Sequence, residues 1–431
     1  MHDAGTATAI LMGSFVILLL LKFPITFTLF ISSVFTAIYL RIPMMSILQR
    51  TVSGVNSFSL LAIPFFILAG EIMGKGGISR RLVEFSNVLV GRVRGGLAQV
   101  NVLASMFFGG ISGSAVADVS SIGTMLIPMM VEKGYDDDYS VAVTVTSSCQ
   151  GVIIPPSHNM IIFSLAAGGG VSVGKLFMGG LVPGIILGVA LMIVSYIIAV
   201  KRNYPKERKY TLKEAAKVSR DAILGLLTIV IIIGGVVSGV FTATESASVA
   251  VVYAFIVTFF IYREISIKEM PKILLHALRT LAMVMSLIAA ASAFGWLLAY
   301  LRIPQAVTSF LLSISHNKIV LLLLINLMLL VLGAIMDMAP LIIIVTPILL
   351  PVVVGELGMD PVQFGIMLIL NLAIGLCTPP VGSALFVGSA IGKISIEKAT
   401  KAMLPFYLAM LVVVLLVTFI PAMSMTIPNL M

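Results

Sequence analysis

Long apolar runs separated by short polar segments recur along the chain from Gly5 to Leu430. A helix needs roughly 20 apolar residues to cross a bilayer, and continuous runs without alternation exclude a membrane β-barrel. The pattern therefore predicts an all-α polytopic membrane protein. Its full spans are predicted near 6–21, 24–40, 57–74, 136–168, 175–200, 222–240, 245–262, 280–300, 361–392 and 403–423.

Two further apolar stretches, 95–131 and 318–354, are interrupted by Gly, Ser or Asp near their midpoints. Each half is too short to cross, so each stretch is predicted to form a re-entrant helical hairpin that enters and leaves on one face. With this topology 22 of the 27 Lys and Arg residues lie on one side. The positive-inside rule makes that side cytoplasmic and puts both termini outside. The segment 42–54 on the outer side is expected to form an interfacial helix.

An internal repeat links the two hairpin regions. At a fixed offset of 224, residues 109–168 match 333–392 at twelve of sixty positions without a gap. Five full spans lie between the two hairpins, an odd number, so the second unit is predicted to be inverted relative to the first. Inverted repeats with interrupted helices are typical of secondary transporters. The coincident residues that shape a backbone are Gly109 and Gly333, Gly134 and Gly358, Asp136 and Asp360, Gly151 and Gly375, and the pairs Pro155-Pro156 and Pro379-Pro380.

The composition narrows the class of protein. Apolar residues make up 59% of the chain, charged residues only 10%, and the mean hydropathy is +1.15, which excludes a soluble enzyme. The net charge of +9 lies in loops, so we expect no nucleic-acid partner, and no P-loop motif for ATP hydrolysis occurs. Cys149 and Cys377 lie in apolar segments and are expected to be small buried residues. The basic segment 201–220 is expected to be a solvated cytoplasmic loop.

Each repeat contains two breaks, a hairpin tip (109–118 and 333–340) and a span interrupted by adjacent prolines (153–159 and 377–383). Proline removes a backbone donor and clashes with the preceding turn, so two prolines unwind a helix within the membrane. The carbonyl oxygens thus freed could replace the water around Na⁺, while the following half-helices present N–H groups to an anion. Breaks that merely kink packed helices are the alternative, although four breaks in two matched pairs favour a site.

The side chains in these breaks are mostly neutral oxygen donors, and no Lys or Arg is among them. Asp337 at the second tip is interpreted as functional or as a helix cap, and Asp118 is interpreted as a cap of the outgoing half-helix. His158 could donate to an anionic substrate, shuttle protons or be structural. Glu71 and Glu245 are expected to serve packing or subunit contacts. The neutral oxygen donors are Ser112, Ser114, Ser157, Asn159, Thr378 and Ser383.

Over nearly its full length the chain resembles the large membrane subunit of the tripartite ATP-independent periplasmic (TRAP) transporters, the DctM-like family. The resemblance is carried by NSFSLLAIPFFILAGEIM (56–73), ISGSAVAD (111–118), IIPPS (153–157), GVFTATESASVA (239–250), the run from Gly333 through VTPILLP (345–351) and NLAIGLCTPPVGSALFV (371–387). The chain departs from the family pattern at Ala243, where Pro is frequent, and at His158, where an aliphatic residue is frequent.

The resemblance implies Na⁺-coupled import of an organic acid across the bacterial inner membrane by an elevator mechanism. The implied partners are a small membrane subunit, a periplasmic substrate-binding protein and the surrounding lipid. The substrate is expected to be a sialic or other sugar acid or a C4-dicarboxylate, with the Ser-His-Asn sequence after the first proline pair favouring a polar sugar acid.

Family Na⁺ sites carry over to two clusters, Ser112, Gly113, Ser114, Pro156 and Ser157 for one, and Asp337, Gly375, Thr378, Pro379 and Gly382 for the other. The expected substrate ligands are Ser114, Ser157, His158, Asn159, Asp337 and Ser383.

Three alternative functions remain. A stand-alone Na⁺/carboxylate symporter is the closest of them. A channel would need a continuous polar pore, and an enzyme would need a catalytic dyad or metal set, which the spans do not show.

The chain is predicted to divide into scaffold and interfacial helices (1–94), a first transport repeat (95–174), further scaffold (175–317), a second, inverted repeat (318–402) and a C-terminal helix (403–431).

Overall fold

The computed structural model describes residues 3–431, and within them every regular element is helical. Three π-helical segments continue α-helices (Val119–Gly123, Ile256–Ile261 and Pro351–Glu356), and 3₁₀ turns lie at Phe58–Leu61, Cys149–Val152 and Pro428–Leu430. The α-helices are α1 (Ala4–Leu20), α2 (Ile25–Leu40), α3 (Met44–Val55), α4 (Ala62–Lys75), α5 (Ile78–Val90), α6 (Gly96–Ser112), α7 (Ala115–Asp118), α8 (Thr124–Glu132), α9 (Asp137–Ser148), α10 (His158–Ala166), α11 (Val173–Lys201), α12 (Leu212–Val237), α13 (Ala243–Phe255), α14 (Met270–Tyr300), α15 (Ile303–Ile314), α16 (Lys318–Ile335), α17 (Met338–Leu350), α18 (Pro361–Gly375), α19 (Ser383–Gly392), α20 (Ile396–Phe419) and α21 (Ala422–Met425).

The predicted all-α membrane fold is confirmed. Among residues 3–431, eight helices are long and apolar enough to cross a membrane, and every predicted span and hairpin corresponds to a helix or a pair of helices. Helices α12 and α14 begin at Leu212 and Met270, earlier than their predicted spans at 222 and 280. Hydropathy detects only the apolar part of a helix, whereas polar first turns remain helical because their residues have good helix propensity.

Of three helices outside the spans, one was predicted and two were not. The interfacial helix expected at 42–54 is α3, which packs against α14. The basic stretch after Lys75 contains α5, whose apolar face buries Ile78, Leu82 and Val83 against α6 and α12. Helix α15 follows α14 after a tight turn at Arg302, which has a left-handed backbone. The latter two are short amphipathic helices, and hydropathy averaged over a span length does not detect them.

The segment 201–220 is exposed over most of its length, as expected, but it is a loop only in part. Its second half is the first part of α12, and the preceding residues are docked on the protein. The buried Tyr204 ring lies 4.6 Å from that of Tyr135, centroid to centroid, and its hydroxyl donates to Asp136 at 2.6 Å. The Pro205 carbonyl accepts from the Gly95 N–H at 3.0 Å. The buried Tyr204 ring and the hydrogen-bonded Pro205 carbonyl therefore hold the segment against the protein, although it is rich in charged residues.

The repeat is visible in the structure at each backbone-shaping position. Gly134 and Gly358 both adopt positive φ, at 86° and 63°. Asp136 and Asp360 are the N-caps of α9 and α18, and both proline pairs contain a cis peptide bond. The repeated residues thus fix the same backbone path twice.

Glycines at repeat-equivalent positions allow each hairpin to contact its broken helix backbone to backbone. A methyl group at Gly109 on α6 would lie 2.2 Å from the Cα of Gly151, and one at Gly375 on α18 would lie 2.4 Å from the carbonyl carbon of Gly333. Neither position has room for a side chain. The first arm of each hairpin therefore packs on the broken helix of its own repeat.

We expect Gly109→Ala to destabilise the protein by about 1–3 kcal/mol, because the methyl group would displace backbone atoms rather than a flexible side chain. Thermal unfolding in detergent, followed by circular dichroism, measures the effect. Gly295→Ala on α14 is the matched control, since nothing lies within 4 Å of the added methyl group and Ala favours a helix. Equal loss of stability in both variants would contradict the close contact.

Candidate functional site

Each hairpin tip touches the break of its own repeat. At the first tip Gly113 ends α6 with a left-handed backbone (φ 62°), and a methyl group there would lie 3.1 Å from the Pro156 carbonyl oxygen. At the second tip the Val381 N–H donates to the Ala334 carbonyl at 3.0 Å. Since each tip meets the middle of an interrupted helix, both tips and both breaks lie at the level where those helices are unwound.

The first cluster combines hydroxyl and carbonyl oxygens. Ser114 is the N-cap of α7, and its Oγ accepts from the Ala117 N–H at 3.4 Å, while the Ser112 hydroxyl lies 3.4 Å from the Ser114 amide nitrogen. Ser157 is fully buried and donates to the Val152 carbonyl at 2.7 Å. A hydroxyl oxygen has two lone pairs, and Ser112 and Ser114 each use one of them as an acceptor, so every one of these oxygens keeps at least one lone pair for a cation.

His158 and Asn159 begin α10 beside the same tip. The His158 imidazole lies against Gly113, with its Nδ1 3.3 Å from the position of a methyl group on that glycine. The Asn159 side chain is 4% exposed. With Ser157 as the N-cap of α10, these residues surround a helix N-terminus, whose N–H groups and partial positive charge favour an anion.

The second cluster contains the carboxylate of Asp337. Asp337 occupies the N-cap position of α17, yet its side chain makes no capping hydrogen bond. Its Oδ1 lies 3.4 Å from the Ser383 hydroxyl, which donates across the space between the tip and the break. Asp337 therefore lies at the N-terminus of α17 beside the Met338 N–H, and its carboxylate faces Ser383 at the start of α19.

Backbone oxygens converge on Gly382 within the second break. A methyl group at Gly382 would lie 2.8 Å from the Thr378 carbonyl oxygen and 3.0 Å from that of Leu376. The Thr378 hydroxyl donates to Ile374 at 2.7 Å, which keeps its lone pairs free. Gly375, by contrast, packs on Gly333, where the absence of a side chain lets the two backbones come close together. The exposed Pro380 and the partly exposed Pro379 lie between these residues.

The two repeats pack on each other next to these clusters. Helix α10, which follows the first break, packs on α17, which follows the second tip. Helix α19 packs on α9 and on the first hairpin. The clusters predicted from sequence thus belong to one contiguous unit of two interlocked repeats.

Asp118 is a residue whose role the sequence did not reveal. It was interpreted as a helix cap, but Ser114 takes that position, so the interpretation was wrong. Asp118 is fully buried, and neither carboxyl oxygen has a hydrogen-bond partner among the described residues. The available signal was that Asp118 is the only charged residue in 95–131. A buried intramembrane carboxyl group is a functional candidate.

Two carboxylates outside the repeats have local partners. Glu245 forms a capping box with Thr242 at the start of α13, accepting from its N–H at 2.8 Å. Glu71 on α4 lies 3.4 Å from His276 on α14, which joins two packed helices and agrees with the packing role expected for it.

The fold is that of a polytopic helical membrane protein. The structure is similar to that of the Alcanivorax borkumensis YdaH transporter, with a TM-score of 0.61, 16% sequence identity and coverage of 89% of this chain and 88% of that one. At this identity the likeness concerns the fold alone.

Sequence comparison then gives the family. Residues 12–423 match the family model described as "Tripartite ATP-independent periplasmic transporter, DctM component", and the chain belongs to this family. It is 44% identical over 424 residues to the Salmonella typhimurium protein YgiK, covering 98% of this chain and 97% of that one.

Two further relatives have named substrates. The chain is 36% identical to the C4-dicarboxylate TRAP transporter large permease protein DctM of Rhodobacter capsulatus, over 98% of this chain and 99% of that one. It is 40% identical to the sialic acid TRAP transporter large permease protein SiaM of Vibrio cholerae, over 89% of each chain. The chain is thus a multi-pass membrane protein of the transporter permease type.

Proposed function

We propose that this chain is the large permease subunit of a Na⁺-coupled, binding-protein-dependent secondary transporter that imports an organic acid across the bacterial inner membrane by an elevator mechanism. The observation that carries the proposal is the duplicated contact between a hairpin tip and a broken helix. Each contact gathers neutral oxygens and a helix N-terminus, a combination suited to a cation and an anion together.

Na⁺ is assigned to the two oxygen-rich clusters. In the first, the Ser112, Ser114 and Ser157 hydroxyls with the carbonyls near Gly113 and Pro156 would hold one ion. In the second, Asp337, Thr378 and the carbonyls around Pro379 and Gly382 would hold another. Hard neutral oxygens and one carboxylate suit an alkali cation.

The organic acid is assigned to the space between the clusters, against the N-termini of α10, α17 and α19. Because neither break contains Lys or Arg, helix ends, hydroxyls and the co-bound ions must offset the charge of the carboxylate. Na⁺ that orders the unwound carbonyls lowers the cost of seating the anion, which is a positive coupling free energy. Ser114, Ser157, His158, Asn159, Asp337 and Ser383 are the proposed contacts to a sugar acid or C4-dicarboxylate.

The proposed motion takes both repeats as one block past the remaining helices. Support comes from the contact between α4 and the first hairpin, where a methyl group at Gly70 would lie 3.3 Å from the Ser112 Cα and one at Gly74 would lie 3.7 Å from Phe108. Small residues leave a smooth surface for sliding. The charge distribution of the loops supports periplasmic termini.

We expect uptake by the reconstituted transporter to follow the Na⁺ gradient. Proteoliposomes that contain this chain, its small subunit and its binding protein should accumulate radiolabelled substrate under an inward Na⁺ gradient, because the proposed ion ligands are neutral oxygens. Equal accumulation with choline or K⁺ outside and only a proton gradient would refute Na⁺ coupling.

We expect the chain to need its partners. Proteoliposomes of the large subunit alone should show no uptake of free substrate, and adding the small subunit and the binding protein should restore it. Robust uptake by the purified chain would instead support the stand-alone Na⁺/carboxylate symporter.

We expect Asp337→Asn to weaken the stabilisation that Na⁺ gives the purified protein by about 1–3 kcal/mol, a typical coupling energy between sites. The amide keeps an oxygen but loses the charge. The unfolding midpoint, measured over a series of Na⁺ concentrations at constant ionic strength, reports the change because an ion that binds the folded state stabilises it.

Asp360→Asn is the matched control, because it makes the same change at the N-cap of α18 in the same repeat, outside the proposed sites, and the amide oxygen can still accept from the Val362 N–H. It should leave the Na⁺ dependence of the midpoint unaltered. If the two variants behave alike, Asp337 has no special role as a Na⁺ ligand.

A further inference from the structure

The structure brings Cys149 and Cys377 together, which the sequence does not predict. Both are free and fully buried, as expected, and their sulfur atoms are 2.8 Å apart. Cys149 begins the 3₁₀ turn that leads from α9 into the first break, and Cys377 is the first residue of the second break. The pair therefore joins the two broken helices at the level of the proposed ion sites.

The cysteines lie where the two repeats meet. Cys149 and Ala373 are counterparts at the repeat offset of 224, and the Cys149 thiol lies 3.1 Å from the Ala373 carbonyl oxygen. The Cys377 thiol in turn lies 3.3 Å from the Val145 carbonyl oxygen of the first repeat. Two residues at equivalent positions of the two repeats can contact each other only near the axis that relates the repeats. The thiol pair is therefore close to this pseudo-twofold axis.

Little movement is needed to join the sulfurs. A disulfide bond is about 2.05 Å long, so the two atoms would approach by less than the radius of a carbon atom. Neighbouring contacts hold the backbone near Cys377, where the Tyr407 hydroxyl donates to its carbonyl oxygen at 2.5 Å. The thiols are thus held close to each other by two packed helices.

We propose that Cys149 and Cys377 form an intramembrane modification site, at which a small neutral two-electron oxidant joins the two repeats by a disulfide bond that is compatible with transport. With molecular iodine one thiol forms a sulfenyl iodide and releases HI. The second sulfur displaces iodide, so that two thiols and I₂ give one disulfide and two HI. The compatibility with transport rests on the proposed function, in which both broken helices move in one block.

Burial makes the site selective for the oxidant. Both cysteines are fully buried beneath the proline breaks, so a bulky, charged disulfide such as oxidised glutathione cannot reach either sulfur. A small neutral oxidant that dissolves in the membrane can. We therefore expect iodine to oxidise the folded protein and oxidised glutathione to leave it reduced.

The full chain, reconstituted with its partners, is treated with iodine or with oxidised glutathione, quenched, denatured and allowed to react with N-ethylmaleimide. After iodine, intact-mass measurement should show a chain that is two hydrogens lighter and carries no N-ethylmaleimide. Reduction with dithiothreitol before the labelling step should let both cysteines react with N-ethylmaleimide again. Two reactive thiols at an iodine dose that fully oxidises the denatured chain would overturn the site, as would equal oxidation by glutathione disulfide.

The single variants Cys149→Ala and Cys377→Ala are the matched controls, since one thiol cannot close an internal bridge. Oxidised wild-type protein should transport as well as iodine-treated Cys149→Ala. Arrest of the cross-linked wild type, with activity retained in Cys149→Ala, would overturn the compatibility with transport. The mass measurement needs no transport, so failure of Na⁺-driven uptake would leave the test of the disulfide intact.

Discussion

Within a bilayer every backbone polar group needs a partner supplied by the protein, and this structure depends on that constraint. The two proline pairs interrupt α-helical hydrogen bonding in the middle of two helices. Turns close part of the gap, as where the Gly382 N–H donates to Thr378 and the Ala384 N–H donates to Leu376. At the second break the hairpin tip supplies a further partner, because the Val381 N–H donates to the Ala334 carbonyl. Hairpin and broken helix are therefore structurally interdependent.

The two repeats share a backbone and differ in chemistry. The glycine contacts, the N-terminal aspartates and the proline breaks recur, because these residues determine the path of the chain. Side chains at the tips do not recur: Ser112 and Ser114 correspond to Met336 and Met338, and Gly113 corresponds to Asp337. A symmetric backbone thus carries two tips of different side-chain chemistry.

Polar contacts at one end of the molecule connect the repeats to the helices around them. Arg202, at the end of α11, donates to Asp136 before α9 at 2.7 Å, and Lys398 on α20 donates to Asp137 at 2.6 Å. The docked Tyr204 ring contacts the rings of both Tyr135 and Tyr139, at 4.6 and 5.0 Å between centroids. Exposed ion pairs of this kind contribute little individually, so the buried aromatic contacts account for most of the stabilisation here.

The sequence by itself determined the all-α membrane class, the two hairpins, the internal repeat and the four breaks. These follow from local properties, because apolar length and proline act within a single segment of chain. Short amphipathic helices such as α5 and the docking of Tyr204 were not predictable, since both depend on distant partners. Only the tertiary structure decided that Ser114 rather than Asp118 caps α7, that Asp337 faces Ser383, and that Cys149 meets Cys377, because each of these contacts is set by the packing of one element against another.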